Sequence, residues 1–232
     1  MCWTRWPRFD NALVAPFGSP SNVNYGFMET SMQFRSFLFT LTVGTALAAG
    51  AAPAVTPGST APGFTVTDSA GKPVQLADFK GKYVVLEWTN PECPFVRKHY
   101  DSQNMQTLQK EWSAKDVVWL SINSTNQSSY EFKTAAQMKD WMAAKGAAQK
   151  AVLIDADSAT GRAYAAKTTP HMFVIDPTGN IVYNGAIDDK RSANPADVKI
   201  ANNYVRAALT EALAGKPVTV ASTTPYGCSV KY

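Results

Sequence analysis

The sequence predicts an α/β domain built on a central, mostly parallel sheet with an antiparallel edge hairpin, helices on both faces and an extra β-hairpin at its N-terminal end. Three observations predict it. The runs "YVVLEWT", "VVWLSIN" and "AVLIDAD" lack the alternation of half-exposed strands and are rich in β-branched residues, so they read as buried strands. Stretches with helical spacing of apolar residues separate them, which is the pattern of parallel strands joined by crossovers. A last pair of runs, "HMFVID" and "IVYNGAID", flanks the turn "PTGN" and reads as a hairpin on the sheet edge.

Taken in order, "FTVTD" and "PVQL" flank the turn "SAGK" as the small N-terminal hairpin. "YVVLEWT" is the first buried strand. Pro94 to Trp112 follows as one helix, with proline in its first turn and Val96, Tyr100, Met105, Leu108 and Trp112 along one side. Val117 to Asn123 is the second buried strand. Tyr130 to Lys145 is a helix with Phe132, Ala136, Met138 and Met142 on its apolar side, "AVLIDAD" a third strand, and Ser158 to Ala166 a short helix. After the edge hairpin, Asp197 to Ala214 forms the closing helix, stopped by Gly215 and Pro217. The tail "VTVASTTPYGCSVKY" ends the chain and its glycine and proline favour mobility.

Composition narrows the function. The 232 residues are 45% hydrophobic and 17% charged, enough for one good core, and the net charge of +4 is scattered. No basic stripe with interleaved aromatics exists, so nucleic acid is not an expected partner. No apolar run is long enough to anchor a mature protein in a membrane.

The N-terminal quarter reads as processing signals. Residues 1–31 lack periodicity and form an upstream segment; Met28 or Met32 is the expected start. "MQFRSFLFTLTVGTALAAGAAPA", over residues 32–54, has the arginine, apolar stretch and small-residue end of a signal peptide. Residues 55–62 read as a linker, 63–216 as the domain and 217–232 as the tail. Export, to a periplasm or the exterior, is therefore expected. Cleavage removes Cys2 and leaves Cys93 and Cys228 in a compartment where thiols can pair.

Cys93 stands where the first buried strand hands over to a helix, in "NPECPFVRKH". In open sheets of this kind chemistry collects beyond the carboxyl ends of the strands. Pro94 opens the helix, which aims free backbone N–H groups and the positive dipole end at the sulfur. Arg97, one turn on, adds positive charge on the same face. Such settings lower a thiol from about 8.5 to about 3.5–7.5, against which Glu92 acts. Glu87 interrupts an apolar strand, and a carboxylate there is costly unless it is paired by a lysine or arginine or serves as a proton shuttle.

Four stretches carry a resemblance: "APGFTVTDSAGKPVQLADFKGKYVVLEW", "WTNPECPFVRKHY", "KTTPHMFVIDPTGNIVYNGAIDD" and the helix from Asp197. With them the chain resembles the thioredoxin superfamily, and within it the redoxin branch of alkyl hydroperoxide reductase/thiol-specific antioxidant and peroxiredoxin-like proteins. The resemblance implies a thioredoxin-like fold over about Ala61 to Gly215, with Pro170 as its cis-proline. It implies that Thr169 and Pro170 flank Cys93, with the backbone before the proline pairing with substrate main chain, so Thr169, Pro170, Pro94 and Asn90 are expected to bind substrate. Two positions depart from the family. Asn90 stands three before Cys93, where dithiol members carry a second cysteine, and Thr89 stands four before it, where peroxiredoxins place a threonine three before.

The expected activity is a thiol-dependent oxidoreductase. Cys93 attacks a peroxide or a protein disulfide, Cys228 resolves the product, and an external, thioredoxin-like thiol reductant completes the cycle. Catalytic residues are then Cys93, Cys228, Arg97 and Glu87. A static Cys93–Cys228 disulfide is the other reading of the pair, worth about 5 kcal/mol in the chain-entropy model. No glycine-rich phosphate loop appears, so no organic cofactor is expected. A rival class, suggested by a fainter resemblance to copper chaperones of the same fold, is a copper-binding or redox-inert module using Cys93, His99 and His171, with Cys228 in reach.

Overall fold

The computed structural model of the protein describes residues 55–232. The expected upstream segment, signal peptide and Cys2 lie outside the described residues. The N-terminal hairpin forms as expected, from β1 (Thr65–Thr67) and β2 (Pro73–Gln75), paired antiparallel. The central sheet has five strands: β3 (Val84–Trp88), β4 (Val118–Asn123), β5 (Ala151–Ile154), β7 (His171–Ile175) and β8 (Ile181–Gly185), in the order β5-β4-β3-β7-β8. β5, β4 and β3 run parallel, while β7 and β8 add two antiparallel pairings. The sheet is thus mixed, with the expected antiparallel hairpin at its edge, and β7 of that hairpin pairs directly with the central strand β3.

The expected helix over Pro94 to Trp112 is two helices, α1 (Pro94–Asp101) and α2 (Asn104–Ser113). They break at Gln103, which adopts a left-handed φ of 61° that no helix interior tolerates. The next helix starts later than its apolar spacing suggested. In α3 (Ala135–Ala144), Thr134 and Gln137 form a capping box that sets the first turn. α4 spans only Ala159–Ala163. The closing segment is a 3-10 turn over Pro195–Ile200 followed by α5 (Tyr204–Leu213), where the Asn203 side chain accepts from the Arg206 N–H and caps the helix.

The strands bury both faces. On β3, Val85 joins one core cluster with Val96, Tyr100, Leu108, Trp119, Val174 and Leu209, under α1, α2, α3 and α5. Val84, Leu86 and Trp88 join the other, with Leu120, Leu153, Tyr164 and Phe173. That second face is closed by one short helix and the N-terminal segment, with Ala61 and Val66 buried in it. Each buried aliphatic or aromatic side chain of this kind contributes about 1.5–3 kcal/mol.

Two segments expected to be loose are packed. The expected linker pairs with the β8 edge: the Gly58 N–H donates to the Ile181 carbonyl at 2.8 Å, and the Ile181 N–H returns to Ser59 at 2.9 Å. The tail is docked too. The Thr223 N–H donates to the Asn184 carbonyl at 3.1 Å, and a short strand, β9 (Cys228–Ser229), pairs antiparallel with β6 (Thr168–Thr169). At the end of the chain, the Tyr232 hydroxyl donates to Ala166 at 2.6 Å and its ring lies 4.7 Å from the Arg162 guanidinium carbon.

Candidate active site

The turn after β3 is built by Asn90. Its side-chain oxygen accepts from the Glu92 N–H at 2.8 Å, and its carbonyl accepts from the Cys93 N–H at 3.1 Å. Its amide donates to Glu131 at 2.9 Å and Thr125 at 3.2 Å, tying the turn to the loop after β4. The residue at the position of a missing local cysteine is therefore a buried structural bracket, fully engaged within the protein rather than open to substrate.

Cys93 is the N-cap of α1, with Pro94 in the first turn and the Cys93 carbonyl accepting from Arg97 at 3.0 Å. The cap residue's backbone is extended, and its sulfur makes no capping bond. Instead the thiol lies 2.9 Å from the Thr169 carbonyl and is 0% exposed. The Thr169–Pro170 peptide is cis, and Thr169 is buried with its hydroxyl unpartnered. The structure thus brings Cys93, Pro94, Thr169 and Pro170 together.

Cys228 completes the group. β9 pairs with β6 so that Cys228 is opposite Thr169 and Ser229 opposite Thr168. Both cysteines are free thiols, and Cys228 packs, half-buried, against the cluster that holds Cys93. Burial first, then its hydrogen bond to Cys93 and the charge of Cys93, push the Cys228 thiol up to about 12. At neutral pH Cys228 holds its proton.

Arg97 is not aimed at the sulfur. Its guanidinium donates to the Pro91 carbonyl at 2.6 Å and the Glu92 carboxylate at 2.9 Å on the open rim. The turn's free carbonyl and the adjacent acid outcompete a buried thiol for it. Glu92 also meets Lys133 at 2.7 Å, and that contact holds its carboxyl below the usual range. The charge expected to oppose Cys93 is thereby answered locally.

Glu87 points to the face that carries Cys93, but its partners are other groups. It accepts from Tyr100 and Trp119 at 2.9 Å, Ser121 at 3.0 Å and Gln109 at 3.4 Å. Burial raises its pKa, and those four donors pull it back. Neither a salt bridge nor a hydrogen bond to Cys93 is found for it among the described residues.

The two histidines lie apart from the thiols' partners. His171 sits with Phe173 on the opposite face, its ring bonded to the Asn184 side chain at 2.8 Å and the Lys167 N–H at 3.2 Å. Burial lowers its pKa to about 4. His99 contacts Asn104 at 2.9 Å and is lowered by burial, and then by Lys98, to about 3. Among the described residues no group of three His, Cys, Asp or Glu side chains could hold a metal ion. The copper set of Cys93, His99 and His171 is therefore not assembled, because the chain commits both imidazoles elsewhere.

Sequence reasoning missed a buried polar cluster beside the thiols. Lys98 Nζ, fully buried, donates to the Lys190 carbonyl at 2.7 Å and lies 3.6 Å from Asp188. Tyr226, from the tail, donates its hydroxyl to Asp188 and packs edge-on against Phe95 at 5.8 Å. The legible signal was the polar pair Lys98 and His99 inside an apolar-sided helix.

Comparison with known proteins agrees with this architecture. A family model described as AhpC/TSA family matches residues 57–184. The Thiol-disulfide oxidoreductase ResA of Bacillus subtilis (strain 168) is 26% identical over 55% of this chain. The matched stretch covers 66% of that relative's own length. A crystal structure of an uncharacterized conserved protein from Geobacillus kaustophilus superposes with a TM-score of 0.68 at 28% identity, over 77% of this chain and 93% of the other. A hypothetical protein from Sinorhizobium meliloti 1021 gives 0.66 at 25% identity, over 78% and 96%. The fold is thioredoxin-like.

Proposed function

This chain belongs to the AhpC/TSA family, and on that premise we propose that it is a thiol-dependent oxidoreductase that reduces disulfides through Cys93, with Cys228 as the resolving thiol. One observation carries the reading: the Cys93 sulfur, at a helix N-terminus, rests on the carbonyl of Thr169, and the residue paired across from Thr169 is Cys228. The Cys93 thiolate attacks one sulfur of a substrate disulfide. A new S–S bond forms to Cys93, the old one breaks, and the leaving thiolate takes a proton from solvent. Cys228 then loses its proton and attacks Cys93, releasing the second substrate thiol. Two electrons pass to the substrate, and an external dithiol returns the protein to its reduced form.

Burial first, and then the hydrogen bond to Cys93, hold Cys228 in its protonated form at neutral pH, so it does not compete with Cys93 for substrate before the mixed disulfide forms.

Peroxide reduction is the second reading. A sulfur that is fully buried favours a small oxidant, which gives a sulfenic acid at Cys93 and water, and Cys228 then condenses with it. Stopped-flow rates with hydrogen peroxide and with a protein disulfide, in wild type and Cys228→Ser, separate the two. The disulfide reading is expected to give exchange that disappears in Cys93→Ser and stalls as a mixed disulfide in Cys228→Ser. Fast sulfenate formation with slow exchange would replace it by the peroxide reading, and loss of neither activity in Cys93→Ser would end both. Export is part of the proposal, on the strength of the leader over residues 32–54; N-terminal sequencing of secreted material should start at or after Ala46.

A further inference from the structure

We propose that the C-terminal tail is a tethered occupant of the substrate groove, and that Tyr226 is the positioning residue that holds it there. The inference rests on the reading of Cys93 as the attacking thiol. Three features of the fold argue for it.

First, the edge formed by Thr168 and Thr169 is hydrogen-bonded to the chain's own β9, so a second extended chain cannot pair there until β9 leaves. The bond from the Val230 N–H to the Lys167 carbonyl, at 3.1 Å, extends the same pairing. Second, the approach is shaped for this segment. Gly227 has a φ of 138°, and a Cβ built on it would overlap the Thr169 carbonyl, so only glycine lets the backbone come this close. Third, the anchor is a buried ionic cluster. The Tyr226 hydroxyl donates to Asp188, which also accepts from the Lys190 N–H at 2.9 Å and lies 3.6 Å from the fully buried Lys98 ammonium, and that ammonium lies 3.4 Å from the hydroxyl. Asp188 and Lys98 belong to the domain body and Tyr226 to the tail. The tail therefore adds a hydrogen bond to a buried charge pair, two residues before the thiol it delivers.

The consequence is a competition. While the strap is seated, Cys228 is at high effective concentration against Cys93 and outside disulfides are kept off. Loosening the strap should move these two rates in opposite directions, which general destabilisation does not do.

Oxidised glutathione is a suitable probe. Cys93 attacks it to give a Cys93–glutathione disulfide and one reduced glutathione; Cys228 then gives the internal disulfide and releases the second. In Tyr226→Phe, which keeps the ring and removes the hydroxyl, the first step should accelerate about tenfold or more, as expected for loss of one hydrogen bond to a charged group. The second should slow by a similar factor, so that the mixed disulfide accumulates in mass spectra. Gly227→Ala, which displaces β9 by contact, should do the same. Both variants should unfold within a few degrees of wild type. Unchanged rates in both variants, or both steps slowing together, would overturn the proposal. If glutathione reacts with Cys93 in no variant, the redox reading has failed; iodoacetamide labelling of Cys93, faster in Tyr226→Phe, still decides for the strap, and equal labelling decides against it.

Discussion

Two carboxylates are buried completely on the same side of the sheet, Glu87 and Asp188, and the protein treats them in opposite ways. Glu87 is satisfied by neutral donors, Tyr100, Gln109, Trp119 and Ser121, all from elements of the core. Asp188 faces the ammonium of Lys98 and takes a hydroxyl from Tyr226, in the tail. The first is a closed arrangement that no surface movement can disturb. The second draws one of its hydrogen bonds from the tail. A buried acid held by fixed neutral groups belongs to the fold, whereas one that bonds to a distant segment ties that segment to its place.

Substitutions can break this contrast. The largest effect is expected at Asp188: Asp188→Leu leaves Lys98 buried without its partner, a loss of about 3–5 kcal/mol in denaturant unfolding. A loss under about 1 kcal/mol would show that the Lys190 carbonyl alone suffices.

The neighbouring His99 sharpens the contrast through pH. Its folded pKa of about 3 lies below the unfolded value of 6.5, so the stability it confers is present above pH 6.5 and is lost as pH falls toward 3. His99→Gln should flatten that acid decline, by about 1.4 kcal/mol for every tenfold difference in proton affinity between the folded and unfolded imidazole. Unfolding curves at pH 7 and pH 4 test it, and parallel losses in both proteins would count against a neutral buried imidazole.

Glu87 has the opposite sign. Its folded pKa is raised above 4.5, so its contribution is greatest at low pH and declines as pH rises past 4.5 toward the folded value. Glu87→Gln loses acceptors for its donors, costing about 1–3 kcal/mol. The gap to wild type should be wider at pH 4 than at pH 7, and a gap that widens with pH would contradict the raised pKa. The smallest effect is expected at Arg97, an exposed residue whose ion pair with Glu92 is worth under about 1 kcal/mol. Arg97→Ala should leave exchange through Cys93 within a few-fold of wild type; a large drop would restore the charge-stabilising role expected from helical spacing.

Much of this fold was legible. Continuous apolar runs mark β3, β4 and β5 because strands covered on both faces have no solvent side to alternate toward. The helix break at Gln103 was not legible, since nothing in its side chain demands a left-handed backbone. At the site, the place of Cys93 beside Pro94 could be read because strand end and helix start are local events. Arg97 could not, because helical spacing places a side chain on a face without saying which acceptor wins it. The mobility expected of the tail from Gly227 and Pro225 was misleading: that glycine is there to approach Thr169, not to flex.

By itself the sequence determined the alternation of strands and helices, the turn that lifts Cys93 to a helix N-terminus, and a second cysteine near the chain end. These depend on side-chain periodicity and turn chemistry over a few residues. Only the tertiary structure decided that β7 lies antiparallel against β3, that Cys228 sits opposite Thr169, and that Lys98, Asp188 and Tyr226 share one buried cluster. Such contacts join segments far apart in the chain, and which pairs form is settled by packing and by the cost of leaving a buried charge unanswered.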